Sequence, residues 1–191
     1  MGGIIGANYV TKYGTESGLT SCVSISGCFD TRENMSFWHS LHLWQPVLAR
    51  SLKENFAVPN VHKLAARCID LRKVEQAVTV VDVDRAMVAP YHGYKRVEDY
   101  YIDMSAGVNG KILGLRTPLL AIHALDDPIM TPGGTPVDAV DSVEDLFILL
   151  TRQGGHVGWP LGWFPTQQKW AWMTSSSLDF SEGVVDVIRK T

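Results

Sequence analysis

The chain of 191 residues is sized for one domain, and 46% hydrophobic against 19% charged residues is too apolar a mixture for a disordered protein. Seventeen Lys and Arg against twenty Asp and Glu leave a net charge of -3, which speaks against a nucleic-acid module with its basic stripe. The three cysteines, Cys22, Cys28 and Cys68, form no C-x-x-C pair and support neither a disulfide framework nor a zinc knuckle.

In chain order, the first expected element is a helix from Met1 to about Tyr13, stopped at Gly14. The segment Leu19–Ser26 alternates and ends at Gly27, as a strand does. From Thr31 to about Ala89 the pattern turns helical. Phe37, Leu41, Trp44 and Leu48 form one apolar stripe, interrupted at Pro46, where a break or a new start is expected. Val61, Leu64, Ala65, Cys68 and Ile69 form a second stripe, and Val97 to Met104 a shorter one. Pro118–Ala124 is short and apolar apart from His123, as a buried parallel strand should be, and Leu146–Thr151 reads as another. Phe180 to Arg189 closes the chain as an amphipathic helix with Val184, Val185 and Ile188 on its apolar side.

Helix, strand, helical insert, two strands and a final helix define an α/β protein with a parallel sheet. The start is unusual, because the first helix lacks the strand it should follow. No apolar run approaches the ~20 residues of a membrane span. MGGIIGANYVTKYG has neither the charged start nor the cleavage site of a secretory signal, and Gly6 stands where a myristoylation motif wants Ser or Thr. These features together are expected of a soluble, intracellular, compact chain.

Chemistry concentrates in the turns after the two late strands. Asp126-Asp127-Pro128 follows the first, and Gly154-Gly155-His156-Val157-Gly158-Trp159 the second. Ligands and catalytic groups collect at the carboxyl ends of strands in open α/β sheets. A carboxylate after one strand and a histidine after the next form the acid–base half of a Ser-His-Asp system. Either turn alone is as well explained by Asx bonding or by a packing histidine. The pair, with two glycines before the histidine, favours chemistry. The nucleophile elbow of such enzymes is G-x-S-x-G, and Met1-Gly2 fits its last two positions. The serine would then be the residue before Met1, outside this chain.

With these segments the chain resembles the C-terminal portion of the α/β-hydrolase family 4 proteins, the embryogenesis-associated and abhydrolase-type esterases and lipases. The matching segments are Met1-Gly2-Gly3 with Asn8 and Tyr13-Gly14, Cys28-Phe29-Asp30, Gly93–Tyr101, Pro118–Pro128 and Gly154–Trp159. Cys28 stands where the family commonly has Pro, and Val83-Asp84 where it has Phe-Asp. The resemblance implies a partial α/β-hydrolase fold over residues 1–191, with a helical cap-like insert at about 31–89. It implies a carboxylic ester hydrolase working through an acyl-serine, with His156 as general base and then acid, and Asp127 as its orienter. Asp126 is then a turn residue or a support for the loop. The backbone N–H of Met1 is the implied oxyanion donor, as the residue after the nucleophile. Without the serine, the chain as given is expected to be inactive, as a fragment or truncated gene model. The alternative is a non-catalytic, hydrolase-like ligand-binding protein.

Phe37, Leu41, Trp44 and Trp159 are the candidate substrate-pocket residues. The implied partner is a small-molecule or lipid ester, with no organic cofactor, no metal and no nucleic acid. Membrane association would come only through an upstream part, which places the full-length protein in the cytoplasm or at a membrane.

Other signals carry less. Ser21, Ser24 and Ser26 are replacement nucleophiles by residue type only, since their strand carries no elbow. His39 and His42, at i and i+3, lack a third ligand and are expected to face solvent. His123 is expected to be a hydrogen-bonded core histidine, and His62 and His92 have no assigned role. Gly2, Gly3 and Gly6 make no nucleotide-binding motif. Trp159, Trp163, Trp170 and Trp172 are expected to pack a loop over the sheet edge, the alternative being an amphipathic surface toward lipid or acyl chains.

Overall fold

The computed structural model describes residues 1–160 and 171–190. It comprises two compact units, one built from Met1–Asp30 and Met104–Thr191, the other from Thr31–Asp103.

In the first unit, helix α1 (Gly2–Tyr13) buries Ile4, Ala7, Val10 and Thr11. It ends at Gly14, whose N–H bonds the Val10 carbonyl, while Lys12 complements the negative end of the helix dipole. Strand β1 covers Cys22–Ile25, shorter than the Leu19–Ser26 expected. The ladder explains the late start: β1 pairs from Cys22, whose N–H reaches the Pro118 carbonyl, and a proline cannot donate in return. Leu19 stays exposed outside it.

Strands β2 (Leu119–Ala124) and β3 (Leu146–Thr151) complete a parallel sheet of order β1-β2-β3. Every residue of β2 is buried, because both faces of this central strand are covered. Leu119 and Ala121 enter a cluster with Ala7 and Val10 of α1, Phe29 and Leu146. Leu120, Ile122 and Ala124 point the other way, to Trp159 and to the last helix. The first unit is therefore a helix–sheet–helix sandwich, the architecture expected of a partial α/β-hydrolase fold.

That last helix runs from Ala171 to Lys190, nine residues earlier than its expected start at Phe180, and is numbered below after the helices of the second unit. Its serines explain the difference: Ser175, Ser177 and Ser181 turn their hydroxyls back to the carbonyls of Trp172, Met173 and Ser177, so a serine-rich stretch remains helical. Val184 and Val185 of its expected apolar side are half-buried, and the packing face extends to earlier residues. Trp172, Met173 and Phe180 meet the sheet, whereas Ile188 is exposed. Phe180 meets Phe147 of β3 at 5.4 Å between ring centroids.

The second unit is helical: α2 (Gln45–Leu52), α3 (Val61–Ala66), α4 (Leu71–Gln76), α5 (Val80–Val83), α6 (Ala89–Tyr91) and α7 (Val97–Met104). The last helix of the first unit is then α8. Three π-helical turns, Ser40–Trp44, Lys53–Ala57 and Asp84–Val88, interrupt the series. Each is followed two residues later by a proline: Pro46, Pro59 and Pro90. A proline ring clashes with the carbonyl four residues back and offers it no N–H, and the wider π turn makes room. Pro46 thus marks a new start, in the first turn of α2, as one of the two outcomes the sequence suggested, and the π turn before it spares the chain a break.

The core of this unit gathers Ala49, Ala57, Leu64, Ile69, Val74, Val83 and Met87. Of the second expected stripe only Leu64 and Ile69 are buried, since α3 ends at Ala66 and Cys68 takes a left-handed φ of 56°. Asp70 caps α4 through the Arg72 and Lys73 N–H groups, and Thr79 and Asp82 form a capping box on α5. The unit extends to Asp103, beyond Ala89, because α7 is tied to it: the Tyr101 hydroxyl donates to Asp84 at 2.7 Å.

Candidate active site

Asp127 and His156 are 29 residues apart in sequence and come together at the carboxyl ends of β2 and β3. His156 Nδ1 lies 2.8 Å from Asp127 Oδ2. The second carboxylate oxygen, Oδ1, accepts the Ile129 N–H at 2.8 Å and the Met130 N–H at 3.0 Å. An Asx-type turn thus fixes the carboxylate with one oxygen and leaves the other for the imidazole. Burial alone would push the Asp127 carboxyl up, but the His156 hydrogen bond and the two backbone N–H groups outweigh it and hold it below its ordinary value. The carboxylate side chain is fully buried, while the His156 ring keeps 29% of its surface exposed. Nε2 of His156 makes no hydrogen bond among the described residues. This is the geometry of an oriented base with a free nitrogen for an incoming hydroxyl.

The turn that carries His156 is held at several points. Asp126 Oδ1 accepts the Gly155 N–H at 2.8 Å. Trp159 closes it further, its backbone N–H bonding Gly154 O at 2.9 Å and its indole Nε1 donating to Thr151 Oγ1 at 2.9 Å. Gly154 is required by packing, because a Cβ there would lie 2.4 Å from the Trp159 indole nitrogen. The Ser26 hydroxyl, at the end of β1, donates to the His156 carbonyl.

The N-terminus of α1 meets the same end of the sheet. Gly3 packs so closely on β1 that a Cβ would sit 2.9 Å from Ser24 Oγ and 3.1 Å from the Ile25 carbonyl, and Ser24 Oγ donates to Gly3 O at 3.0 Å. Met1, the N-cap of α1, therefore stands near the end of β1 that also holds Ser26 and the His156 turn.

Ser24 and Ser26 are both buried and spend their hydroxyls on backbone carbonyls, and Ser21 bonds Ser181 at 3.2 Å. The contacts of Ser26 and Asp126 with the His156 turn have no local sequence signal beyond their places at strand ends. His123 departs from the expectation of a hydrogen-bonded core residue in one respect. It is buried and its Nε2 reaches the Met130 carbonyl at 3.3 Å, but Nδ1 has no partner among the described residues.

The four pocket candidates fall in different places. Phe37 and Leu41 are half-buried and Trp44 is exposed in the helical unit, beside Trp38, whose ring contacts His39 and His42. Trp159 is buried in the sheet unit and stacks on Trp172 at 5.5 Å. With Asp126, Gly155 and Trp172 it lines an open cavity of about 560 Å³ next to the His156 turn. Trp163 and Trp170 lie outside the described residues. Among the described residues, no helix is long and apolar enough to cross a membrane, and no group of His, Cys, Asp or Glu is arranged to hold a metal.

A parallel sheet that presents a buried carboxylate after one strand and its hydrogen-bonded histidine after the next, with a tightly packed helix N-terminus at the same end, is the frame of an α/β-hydrolase. The chain belongs to that family. It is 34% identical over 170 residues to a monoacylglycerol lipase of Saccharomyces cerevisiae, covering 83% of this chain and 37% of the relative. It is 25% identical over 173 residues to phospholipase ABHD3 of Mus musculus, covering 87% of this chain and 40% of the relative. It is 28% identical over 176 residues to the embryogenesis-associated protein EMB8 of Picea glauca, covering 85% and 37%. The chain thus spans less than half the length of these relatives. No family model and no solved structure matches it.

Proposed function

We propose that this chain carries the acid–base half of a serine hydrolase acting on carboxylic esters of lipids. The observation that carries the reading is the 2.8 Å contact between His156 Nδ1 and a carboxylate whose other oxygen is already occupied by two backbone N–H groups. The names of the relatives, a monoacylglycerol lipase and a phospholipase, support a lipid ester as substrate.

In this reading the nucleophile is a serine at the elbow position before Met1. His156 Nε2 takes the proton of its hydroxyl as Oγ attacks the ester carbonyl, and Asp127 stabilises the resulting imidazolium. The Met1 N–H, at the positive end of α1, donates to the oxyanion. Collapse of the tetrahedral intermediate breaks the ester C–O bond, and His156 returns the proton to the leaving alcohol. A water molecule, deprotonated by His156, then cleaves the acyl-serine and releases the carboxylic acid. Among the described residues there is the base and its orienter but no hydroxyl placed for attack, so we propose that they do not turn over esters by themselves.

The test is fatty-acid release from a monoacylglycerol and from a diacylglycerophospholipid by the protein with a Gly-x-Ser elbow completed ahead of Met1. Release from at least one, abolished by His156→Ala, is expected. A folded protein that binds these lipids but releases no acid overturns the proposal in favour of a binding protein.

A further inference from the structure

His123 is a buried titratable residue that the mechanism above does not use. It lies on the central strand, two residues before the Asp126-Asp127 turn begins to leave the sheet, and its side chain is 2% exposed. Its Nε2 lies 3.3 Å from the Met130 carbonyl, which can only accept, so Nε2 carries the proton. The same Nε2 lies 3.8 Å from Asp127 Oδ2, the oxygen that meets His156. Met130 closes the arrangement, because its N–H donates to Asp127 Oδ1 while its carbonyl faces His123. The Asp127 carboxylate is therefore set between two imidazoles, one half-exposed and one buried.

The buried imidazole is costly, since Nδ1 is left without a donor. A leucine or phenylalanine would fill a strand position in a core without that loss. Burial pushes the His123 pKa down, with His156 adding to it, and the Asp127 carboxylate and Met130 carbonyl only partly oppose it. The ring is thus neutral, with a single N–H to direct.

We propose that His123 is a positioning residue for the acid–base pair: as the neutral Nε2–H tautomer it donates to the Met130 carbonyl, fixes the residue whose own N–H holds Asp127 Oδ1, and so keeps Oδ2 aimed at His156. The inference rests on reading Asp127 and His156 as that pair, but its geometry does not depend on turnover.

Nuclear magnetic resonance on the isotopically labelled 191-residue protein tests it without any ester. His123→Leu removes the N–H, and His123→Gln keeps an amide N–H at similar reach. In the Leu variant the Asp127 carboxyl should titrate higher, because the Met130 N–H that holds it loses its anchor, and the His156 Nδ1–H resonance should broaden. The Gln variant should stay close to the unaltered protein on both readouts, which a general loosening of the core would not allow. A folded Leu variant with an unchanged Asp127 midpoint and an unchanged His156 Nδ1–H resonance overturns the proposal. Should the Leu variant not fold, the tautomer of His123 in the unaltered protein decides, by long-range proton–nitrogen correlation. Nε2–H is expected, and Nδ1–H overturns it. Failure of ester hydrolysis in the completed enzyme would contradict the proposed function while leaving these resonance results as they stand.

Discussion

Each unit of the molecule withdraws a carboxylate from water, Asp127 fully and Asp84 in part, and the two are treated in opposite ways. Asp127, in the sheet unit, receives the His156 imidazole and two backbone N–H groups, and its pKa is held down despite burial. Asp84, in the helical unit, receives the Tyr101 hydroxyl, and burial pushes it up to about 6 in spite of that bond. Desolvation disfavours both charges; the number and charge of the donors decides which way each group moves. The first carboxylate is prepared to stay ionised beside the His156 imidazole. The second is a structural acid whose charge weakens its own surroundings as pH rises.

The two signs have opposite consequences for stability. Asp127, with a lowered folded pKa, contributes stability above its ordinary value of 3.8 that is lost as pH falls through the folded value. Asp84, with a raised folded pKa, favours the fold below 3.8, and that contribution is lost as pH rises toward about 6.

The sharpest way to break the comparison is at Asp127 itself. In the enzyme with a completed elbow, Asp127→Asn should lower kcat by roughly 10⁴-fold, the scale of the same change in serine proteases. Asp126→Asn should cost about tenfold or less, because an amide oxygen still accepts the Gly155 N–H. Steady-state ester hydrolysis by the two variants checks this, and equal losses contradict the assignment of roles.

Asp84→Asn should act in the reverse direction on stability. Above pH 6 it removes an unfavourable buried charge, so urea denaturation at pH 7.5 should show a gain of roughly 2 to 3 kcal/mol that disappears near pH 4. A loss at both pH values would mean that the ionised Asp84–Tyr101 bond supports the helical unit.

The support of the histidine turn can be weakened without touching either partner. Gly154→Ala drives a methyl group into the Trp159 indole and should cost about 1 to 3 kcal/mol by thermal denaturation. It should also move His156 off Asp127, so that the Asp127 carboxyl titrates upward, toward the behaviour of Asp84. Trp159→Phe is the mildest test. It removes the Nε1–H bond to Thr151 and some stacking on Trp172, and should cost about 1 kcal/mol or a little more.

The two late strands and the pair of turns behind them were legible in the sequence because each signal is local. A run between Pro118 and Asp126 that is apolar but for His123 is a strand buried on both faces, and residues at its carboxyl end collect where function collects. The remainder depended on partners remote in sequence. The start of β1 was set by Pro118, almost a hundred residues away. The early start of α8 was hidden because serine is a poor helix former unless its hydroxyl bonds back to the preceding turn. Pro46 signalled a break or a new start, and only the π turn before it shows why the new start comes without a break. Trp44 and Val61 fit apolar stripes in spacing yet are exposed, because short helices joined by such turns do not keep one face inward along their length. His123 gave no sign of its place between Met130 and Asp127, since its partners are assembled by a turn that doubles back onto the strand.

The central claim is that Asp127 and His156 serve a serine hydroxyl at the elbow position before Met1. Labelling by a fluorophosphonate, mapped by peptide mass spectrometry on the protein with that elbow completed, tests it most directly. The account predicts stoichiometric label on the elbow serine, lost on its change to Ala and strongly slowed by His156→Ala. Label on Ser24 or Ser26, or a folded protein that takes no label, would contradict it.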